Sequence, residues 1–379
     1  MMNSRLGLLS GWLIVSVARA SAQTPTNAEI RTILSDRLFR ADLGIGIVVG
    51  VIDSNGRRVV AFGGPSKGDM RPLNGDTVFE IGSITKEFTS LVLTDMVRRR
   101  EVALTDPVAT FLPHGVTVPE RNKRKITLAD LSTHSSGLPR MPTNFNPRDN
   151  ANPYVDYSVQ NLYDFLTNHK LTRDIGAQYE YSNLGVGLLG HALALRAGMS
   201  YEALVRSRII DPLRMSNTRI TLTPQMRAHA AVGHIETKRT AENPYGLTAV
   251  PDWDIPTLAG AGALRSTAND MLTFLAANLG YVKTPLSGAM ADQIATRRPA
   301  EGSDFEVGYG WRIQTKHGST IVWHGGATGG YRCYIGFDPN ARVGVIVLSN
   351  VLMPLVDDIG PHLLNRQYPL SKGSPFDGK

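Results

Sequence analysis

The stretch Phe79-Glu80-Ile81-Gly82-Ser83-Ile84-Thr85-Lys86 opens a run with apolar residues at Ile84, Phe88, Leu91, Val92 and Met96. That spacing predicts a helix with one buried face. Three residues turn a helix through about 300°, so Ser83 and Lys86 share a face, one turn apart. A neutral lysine amine in that position can take the serine proton and leave a nucleophile. Ser83 also falls at the helix N-terminus, where free N–H groups and the dipole favour developing negative charge. A capping serine followed by a solvated lysine is the plain alternative for an isolated S-x-x-K.

Two more elements lie downstream. In Tyr179-Glu180-Tyr181-Ser182-Asn183 a tyrosine stands two residues before an asparagine, at a loop-to-helix junction that presents both side chains to a cleft. A tyrosinate beside a lysine ammonium can act as a general base, since the cation lowers its pKa from about 10. The Asn183 amide can bind a substrate carbonyl. A packed tyrosine and a helix-capping asparagine are the alternative. In Trp323-His324-Gly325-Gly326-Ala327-Thr328-Gly329-Gly330-Tyr331, glycines at a strand end let a substrate backbone lie close. The N–H groups of Ala327 and Ser83 are candidate oxyanion donors. A Gly-rich hairpin is the alternative.

Strand-like runs lie at both ends of the chain. Gly44–Ile52 and Arg58–Phe62 flank the hairpin signal Asp53-Ser54-Asn55-Gly56. Tyr309–Thr315, Thr320–His324, Tyr331–Asp338 and Arg342–Asn350 follow in the last third. Helical patterns fall at Asn27–Phe39, Val159–Asn168, Leu184–Ala197, Tyr201–Ile210 and Met353–Asn365. The pattern predicts an α+β fold: one antiparallel sheet built from both chain ends, flanked by helices, with an inserted all-helical lobe. The α/β lobe spans about 27–106 and 250–366, and the helical lobe about 107–249. A cleft between the lobes is the natural place for a site.

In this order the three elements resemble the motifs of the serine penicillin-recognising family. The branch is class C, which holds class C β-lactamases, D-alanyl-D-alanine carboxypeptidases and related esterases. The family marks are S-x-x-K, Y-x-N and K/H-x-G. In this chain they read Ser83-Ile84-Thr85-Lys86, Tyr181-Ser182-Asn183 and His324-Gly325-Gly326. Secondary matches are Phe79-Glu80-Ile81-Gly82, Ile126-Thr127-Leu128, Thr133-His134-Ser135-Ser136-Gly137-Leu138-Pro139 and Gly308-Tyr309-Gly310-Trp311. The resemblance covers roughly residues 28–366. It implies a β-lactamase/transpeptidase-like fold and an acyl-enzyme mechanism. Ser83 would attack while the Lys86/Tyr181 pair takes its proton, and Tyr181 would then protonate the leaving group. Asn183, His324, Gly326 and Ala327 would bind substrate.

One position departs from the class C pattern, which usually begins the third motif with Lys. His324, with an ordinary pKa near 6.5, supplies little positive charge at pH 7. His at this position occurs among peptidases and related hydrolases of the family. Arg332 is the candidate for the missing charge. The substrates implied are β-lactams or D-Ala-D-Ala-type peptides of peptidoglycan. A short-chain ester is the second possibility, and a non-hydrolytic penicillin sensor the third.

Composition bounds the rest. With 42% hydrophobic and 19% charged residues in 379, the chain suits one large domain or two lobes. Arg5, the apolar run Leu6–Val17 and Ala20-Ser21-Ala22 read as a signal peptide over 1–22, so the expectation is export, to the periplasm or the exterior. No later segment reaches membrane-spanning length. The net charge of +7 falls to +5 once Arg5 and Arg19 are removed. The basic runs Arg98–Arg100 and Arg121–Lys125 lack interleaved aromatics, which argues against nucleic-acid binding. Cys333 is the only cysteine, so no disulfide forms within the chain, and its apolar setting suits a structural thiol. There is no H-E-x-x-H, G-x-S-x-G, P-loop or dinucleotide fingerprint, so neither metal nor cofactor is expected. His134 reads as a buried histidine bracing the cleft wall. Oligomeric state stays open.

Overall fold

The computed structural model describes residues 24–38, 43–354 and 356–373. The export signal read over residues 1–22 lies outside the described residues. Helix α1 (Asn27–Leu38) leads into strands β1 (Gly46–Asp53) and β2 (Gly56–Gly63). Their hairpin closes with Asp53 opposite Gly56, and Gly56 adopts a φ of +111° that L side chains rarely take. The serine–lysine helix is α2 (Thr85–Arg98). Helices α3 (Val159–Asn168) and α4 (Asn183–Ala197) follow in the insert. After α5 (Ala268–Asn278) and α6 (Ser287–Ala295) the chain returns to strands. These are β3 (Arg298–Pro299), β4 (Glu306–Val307), β5 (Arg312–Lys316), β6 (Ser319–Ala327), β7 (Arg332–Asp338) and β8 (Val343–Ser349), with α7 (Ile359–Leu364) last.

All eight strands form one antiparallel sheet, in the order β2-β1-β8-β7-β6-β5-β4-β3. The two chain ends therefore meet inside the sheet, one strand in from the β2 edge, where Ile47 pairs with Ser349 and Ile52 with Gly344. Both faces of these strands are covered. In β1, Ile47, Val49 and Val51 face a core that includes Ile30 and Leu34 of α1 and Ile359 and Leu363 of α7. Val48 and Ile52 face the opposite core, with Phe88 of α2 and Leu272 of α5. A period of two with both faces apolar produces the unbroken hydrophobic run of β1.

Boundaries moved where backbone hydrogen bonds go elsewhere. Strand β5 starts at Arg312, not Tyr309, because the Tyr309 N–H donates to Gln293 O and Gly310 takes a φ of +84°. The two-residue strands β3 and β4 are too short for an alternating pattern to show. The insert also holds two short hairpins, Glu120–Arg121 with Arg124–Lys125 and His234–Glu236 with Leu247–Ala249. The first carries the basic run read as a loop, and it turns because Asn122 and Lys123 both take positive φ, 51° and 62°. The helix from Tyr201 is α-helical to Val205 and widens to a π turn over Arg206–Ile210. The closing helix begins at Ile359, well after Pro354, which has no N–H to give a helix.

Asn350 ties the ends together. Its Oδ1 accepts the Gly46 N–H at 2.6 Å, and its Nδ2 donates to Pro65 O and Val232 O, each at 3.0 Å. Asn350 is wholly buried. Asn350→Ala leaves these backbone groups unpaired, each loss being worth about 1–3 kcal/mol. The expected outcome in urea denaturation is a loss of about 3 kcal/mol or more at unchanged m-value; a loss under about 1 kcal/mol would refute this role.

Candidate active site

Ser83 lies in a 3₁₀ turn, Gly82–Ile84, that runs straight into α2. Its Oγ caps no helix and faces a cleft between sheet and insert. The turn is pressed against strand β6, and two glycines permit the contact. A Cβ on Gly326 would stand 2.1 Å from Ile81 O. A Cβ on Gly82, whose φ is +49°, would stand 2.6 Å from Ala327 O. Gly326 is thus required by the serine turn behind it, a reason for this glycine that the sequence reading did not give. At Gly325 a Cβ would meet nothing closer than Cys333 O at 3.7 Å.

Strand register sets the direction of the Ala327 N–H. The hairpin closes with Thr328 N–H donating to Tyr331 O, so the next pair, Ala327 with Arg332, is a non-hydrogen-bonded one. The Ala327 N–H then points away from β7, to the side where β5 has already ended at its pairing of Arg312 with Trp323. That side holds the serine turn.

Lys86 is wholly buried on α2. Its Nζ lies 2.9 Å from Ser83 Oγ, 2.9 Å from Asn183 Oδ1 and 2.6 Å from Ala261 O. Burial pushes its pKa well below the ordinary lysine value, and the Arg140 guanidinium adds to the shift. The neighbouring Glu87 carboxyl is driven well above its ordinary value by burial, so it favours the neutral acid. A neutral amine has two N–H groups and one lone pair. Asn183 Oδ1 and Ala261 O can only accept, so they take both N–H groups and leave the lone pair toward Ser83 Oγ.

Tyr181 O–H donates to Ser83 Oγ at 2.7 Å. Burial raises its pKa, and the Ser83 bond opposes that only in part. Both shifts favour a protonated phenol beside a neutral amine over the tyrosinate–ammonium arrangement considered from sequence. The helix cap at this junction is Ser182, not Asn183: its Oγ accepts the Gly185 N–H at 2.8 Å and donates to Pro139 O at 2.7 Å. Asn183 is thereby left to face the cleft. His134 is buried, accepts the Ser182 N–H on Nδ1 at 3.0 Å, and lies 4.6 Å from the Tyr181 ring between centroids.

His324 is buried, and its Nδ1–H donates to Gly325 O at 2.6 Å. Burial holds its pKa well below the usual histidine range, with Arg312 adding to the effect, so the ring stays neutral. Arg332 lines the cleft, but its Nε donates to Asp357 Oδ1 at 2.8 Å and its Nη2 also contacts that carboxylate. Its charge is already matched. Cys333 is a buried thiol whose pKa is pushed up to about 12 by burial, and its Sγ–H donates to Glu80 O.

Two cations in the cleft escaped the sequence reading. Arg312 Cζ lies 5.5 Å from the Tyr181 ring centre and 5.0 Å from those of Phe305 and Trp323. Arg140 Cζ lies 5.0 Å from the Tyr181 ring centre on another side. Among the described residues neither forms an ion pair with a carboxylate. Their sequence signal was adjacency: Arg312 directly follows Gly308-Tyr309-Gly310-Trp311, and Arg140 directly follows Pro139. Among the described residues no cluster of side chains is suited to a metal ion.

A fold with this sheet and a buried lysine aimed at a serine defines a serine hydrolase, and the chain belongs to the β-lactamase family, whose sequence model matches residues 35–367. It is 28% identical over 347 residues to the D-alanyl-D-alanine-carboxypeptidase/endopeptidase AmpH of Escherichia coli K12, covering 86% of each chain. It is 26% identical over 345 residues to a β-lactamase of the same organism, covering 82% of this chain and 85% of that one. Among solved structures it is similar to a β-lactamase/D-alanine carboxypeptidase from Yersinia pestis. That match has a TM-score of 0.70 and 26% identity, over 86% of this chain and 94% of that one. Among the described residues no helix is long and apolar enough to cross a membrane.

The electrostatics predict the pH profile. With neutral Lys86 as the candidate base, kcat/KM is expected above its folded pKa and lost as pH falls through it. Arg140→Gln removes a positive neighbour and lets that pKa rise. The acid limb of kcat/KM is expected to move to higher pH in Arg140→Gln; a limb that stays put or moves down contradicts the assignment.

Proposed function

We propose that the protein is an exported amide hydrolase that opens β-lactams or D-Ala-D-Ala-type peptides through an acyl-enzyme on Ser83. The observation that carries this reading is the convergence on Ser83 Oγ of the buried Lys86 Nζ at 2.9 Å and the Tyr181 hydroxyl at 2.7 Å. Ser83 Oγ bonds to the substrate carbonyl carbon as its proton passes to Lys86. The carbonyl oxygen becomes an oxyanion that accepts from the N–H groups of Ser83 and Ala327. The C–N bond then breaks, Tyr181 gives its proton to the leaving nitrogen, and the proton held by Lys86 restores the phenol. Water adds to the ester, releases the acid and returns the proton to Ser83.

The relatives' names support the substrate class, and so does the charge of the cleft. A β-lactam and a C-terminal D-alanine both carry a carboxylate on the leaving side of the scissile bond. That side is marked by Tyr181, the proton donor; of the two cations beside it without a carboxylate partner, Arg140 and Arg312, only Arg312 belongs to the larger basin alone, and Arg332 is paired with Asp357. A short-chain ester is the second reading, favoured by the neutral His324, which contributes no fixed charge to that pocket.

The test uses the full chain and Ser83→Ala with a chromogenic cephalosporin, a D-Ala-D-Ala peptide and a p-nitrophenyl ester, following turnover and intact mass. Serine-dependent turnover of the cephalosporin or the peptide is expected, with a transient adduct. Turnover of the ester alone favours the second reading; a persistent adduct without turnover identifies a sensor; turnover surviving in Ser83→Ala refutes the mechanism. The N-terminal mass of exported protein tests cleavage before Gln23. In Arg312→Leu, KM for the carboxylate-bearing substrates is expected to rise about tenfold or more, with the ester little changed, the charge-assisted bond being worth about 1.5–3 kcal/mol. Equal effects on charged and neutral substrates would contradict the anchor role.

A further inference from the structure

The cleft consists of two basins that share Ser83, Ala327 and Arg140. The larger, about 560 Å³, holds Tyr181, His324 and Arg312. The smaller, about 240 Å³, holds Tyr154, Asn183, Trp253 and Ile255. Their chemical roles follow from the proton donor. Tyr181 belongs to the larger basin, so the leaving group departs there. The smaller basin therefore receives the acyl half. Its polar group is the Asn183 amide. Asn183 Oδ1 is engaged by Lys86 at 2.9 Å, whereas Nδ2, beside the Tyr154 hydroxyl, has the Met141 thioether at 3.8 Å. That weak contact leaves Nδ2 able to donate to a carbonyl on the acyl half.

Arg140 stands at the border of this basin, and its backbone is fixed. Arg140 O accepts the N–H groups of Asn183 and Leu184, at 3.0 and 3.2 Å. The preceding carbonyl, Pro139 O, accepts from Ser182 Oγ at 2.7 Å. The residue is thus tied to the first turn of α4, on the same turn as the Asn183 amide. Its side chain is exposed, and among the described residues its guanidinium has no carboxylate partner. In this it is like Arg312 and unlike Arg332, Arg265 and Arg173, which pair with Asp357, Glu80 and Glu180. The opposite wall is aromatic, with Tyr154 and Trp253 5.3 Å apart between centroids. That wall is anchored from behind, where the Trp253 N–H donates to Glu80 Oε1 and Arg265 Nη2 donates to the same oxygen, each at 2.9 Å.

We infer that Arg140 makes the smaller basin a subsite for an acyl group carrying its own carboxylate. The preferred substrate then bears negative charge on both sides of the scissile bond, one end at Arg312 and the other at Arg140. The aromatic wall takes the apolar part of the acyl group, and Asn183 Nδ2 takes its carbonyl. This rests on the acyl-enzyme reading of Ser83 and adds a requirement on the acyl half that the reading itself does not contain.

The experiment compares acyl groups that differ only in charge. One arm uses benzylpenicillin and its α-carboxy analogue. A second uses p-nitrophenyl esters of pentanoic acid and of glutaric acid, whose leaving group is identical and uncharged, with spontaneous hydrolysis subtracted. Wild-type protein, Arg140→Gln and Arg140→Glu are assayed in both arms. The expected wild-type preference for the anionic acyl group is about tenfold in kcat/KM, carried by KM, as suits a charge-assisted contact at an exposed site. The ratio is expected to approach one in Arg140→Gln and to fall below one in Arg140→Glu. A wild-type ratio near one in whichever arm is turned over, or a ratio unchanged in Arg140→Gln, overturns the inference. Absence of Ser83-dependent turnover in both arms overturns the acyl-enzyme reading and the inference with it; turnover without charge preference overturns the inference alone.

Discussion

The structure depends on one buried amine. Lys86 Nζ is where three distant parts of the chain meet: the serine turn, the Asn183 end of α4 and the Ala261 carbonyl. An ammonium at that depth would be heavily penalised by desolvation, whereas a neutral amine with both N–H groups accepted is satisfied. The same burial that disfavours the charge suits Lys86 to the role of base proposed for it. Helix α2 can be buried this deeply because several of its polar side chains, though not the Glu87 carboxyl, find hydrogen-bond partners within the protein. Thr89 Oγ1 reaches Gly260 O at 2.7 Å and the Tyr201 hydroxyl at 2.6 Å, and Ser90 Oγ pairs with Ser132 Oγ at 2.8 Å.

Sheet and helix are joined at the serine by contact between backbones rather than side chains. Gly82 and Gly326 leave no room for a Cβ at that junction, so the serine turn and the strand end are held in direct register. The strand's alternation then aims the Ala327 N–H to the serine side. The proposed oxyanion pocket would follow from packing at two glycines and from ladder parity, both fixed before any substrate arrives.

Charge in the cleft follows from exclusion. Burial keeps His324 neutral, and Asp357 occupies Arg332. The positive field that remains comes from Arg140 and Arg312, which flank the Tyr181 ring at 5.0 and 5.5 Å. These cations lower the Lys86 pKa as well as offering anchors to an anion. Recognition and activation are therefore coupled through the same two guanidinium groups.

The sequence by itself determined whatever rests on local periodicity. The S-x-x-K spacing put Ser83 and Lys86 one turn apart, the Asp53–Gly56 turn fixed the first hairpin, and alternation marked the long strands of the last third. The motifs of Tyr181–Asn183 and His324–Gly326, read with the first, carried the family. Tertiary structure decided protonation and charge. Whether Lys86 is neutral depends on carbonyls 97 and 175 residues away in the chain, at Asn183 and Ala261. Whether an arginine is free depends on which carboxylate folds against it, so Arg332 and Arg312, alike in sequence, end with opposite roles. Desolvation and Coulomb terms are set by three-dimensional neighbours, and no spacing along the chain encodes them.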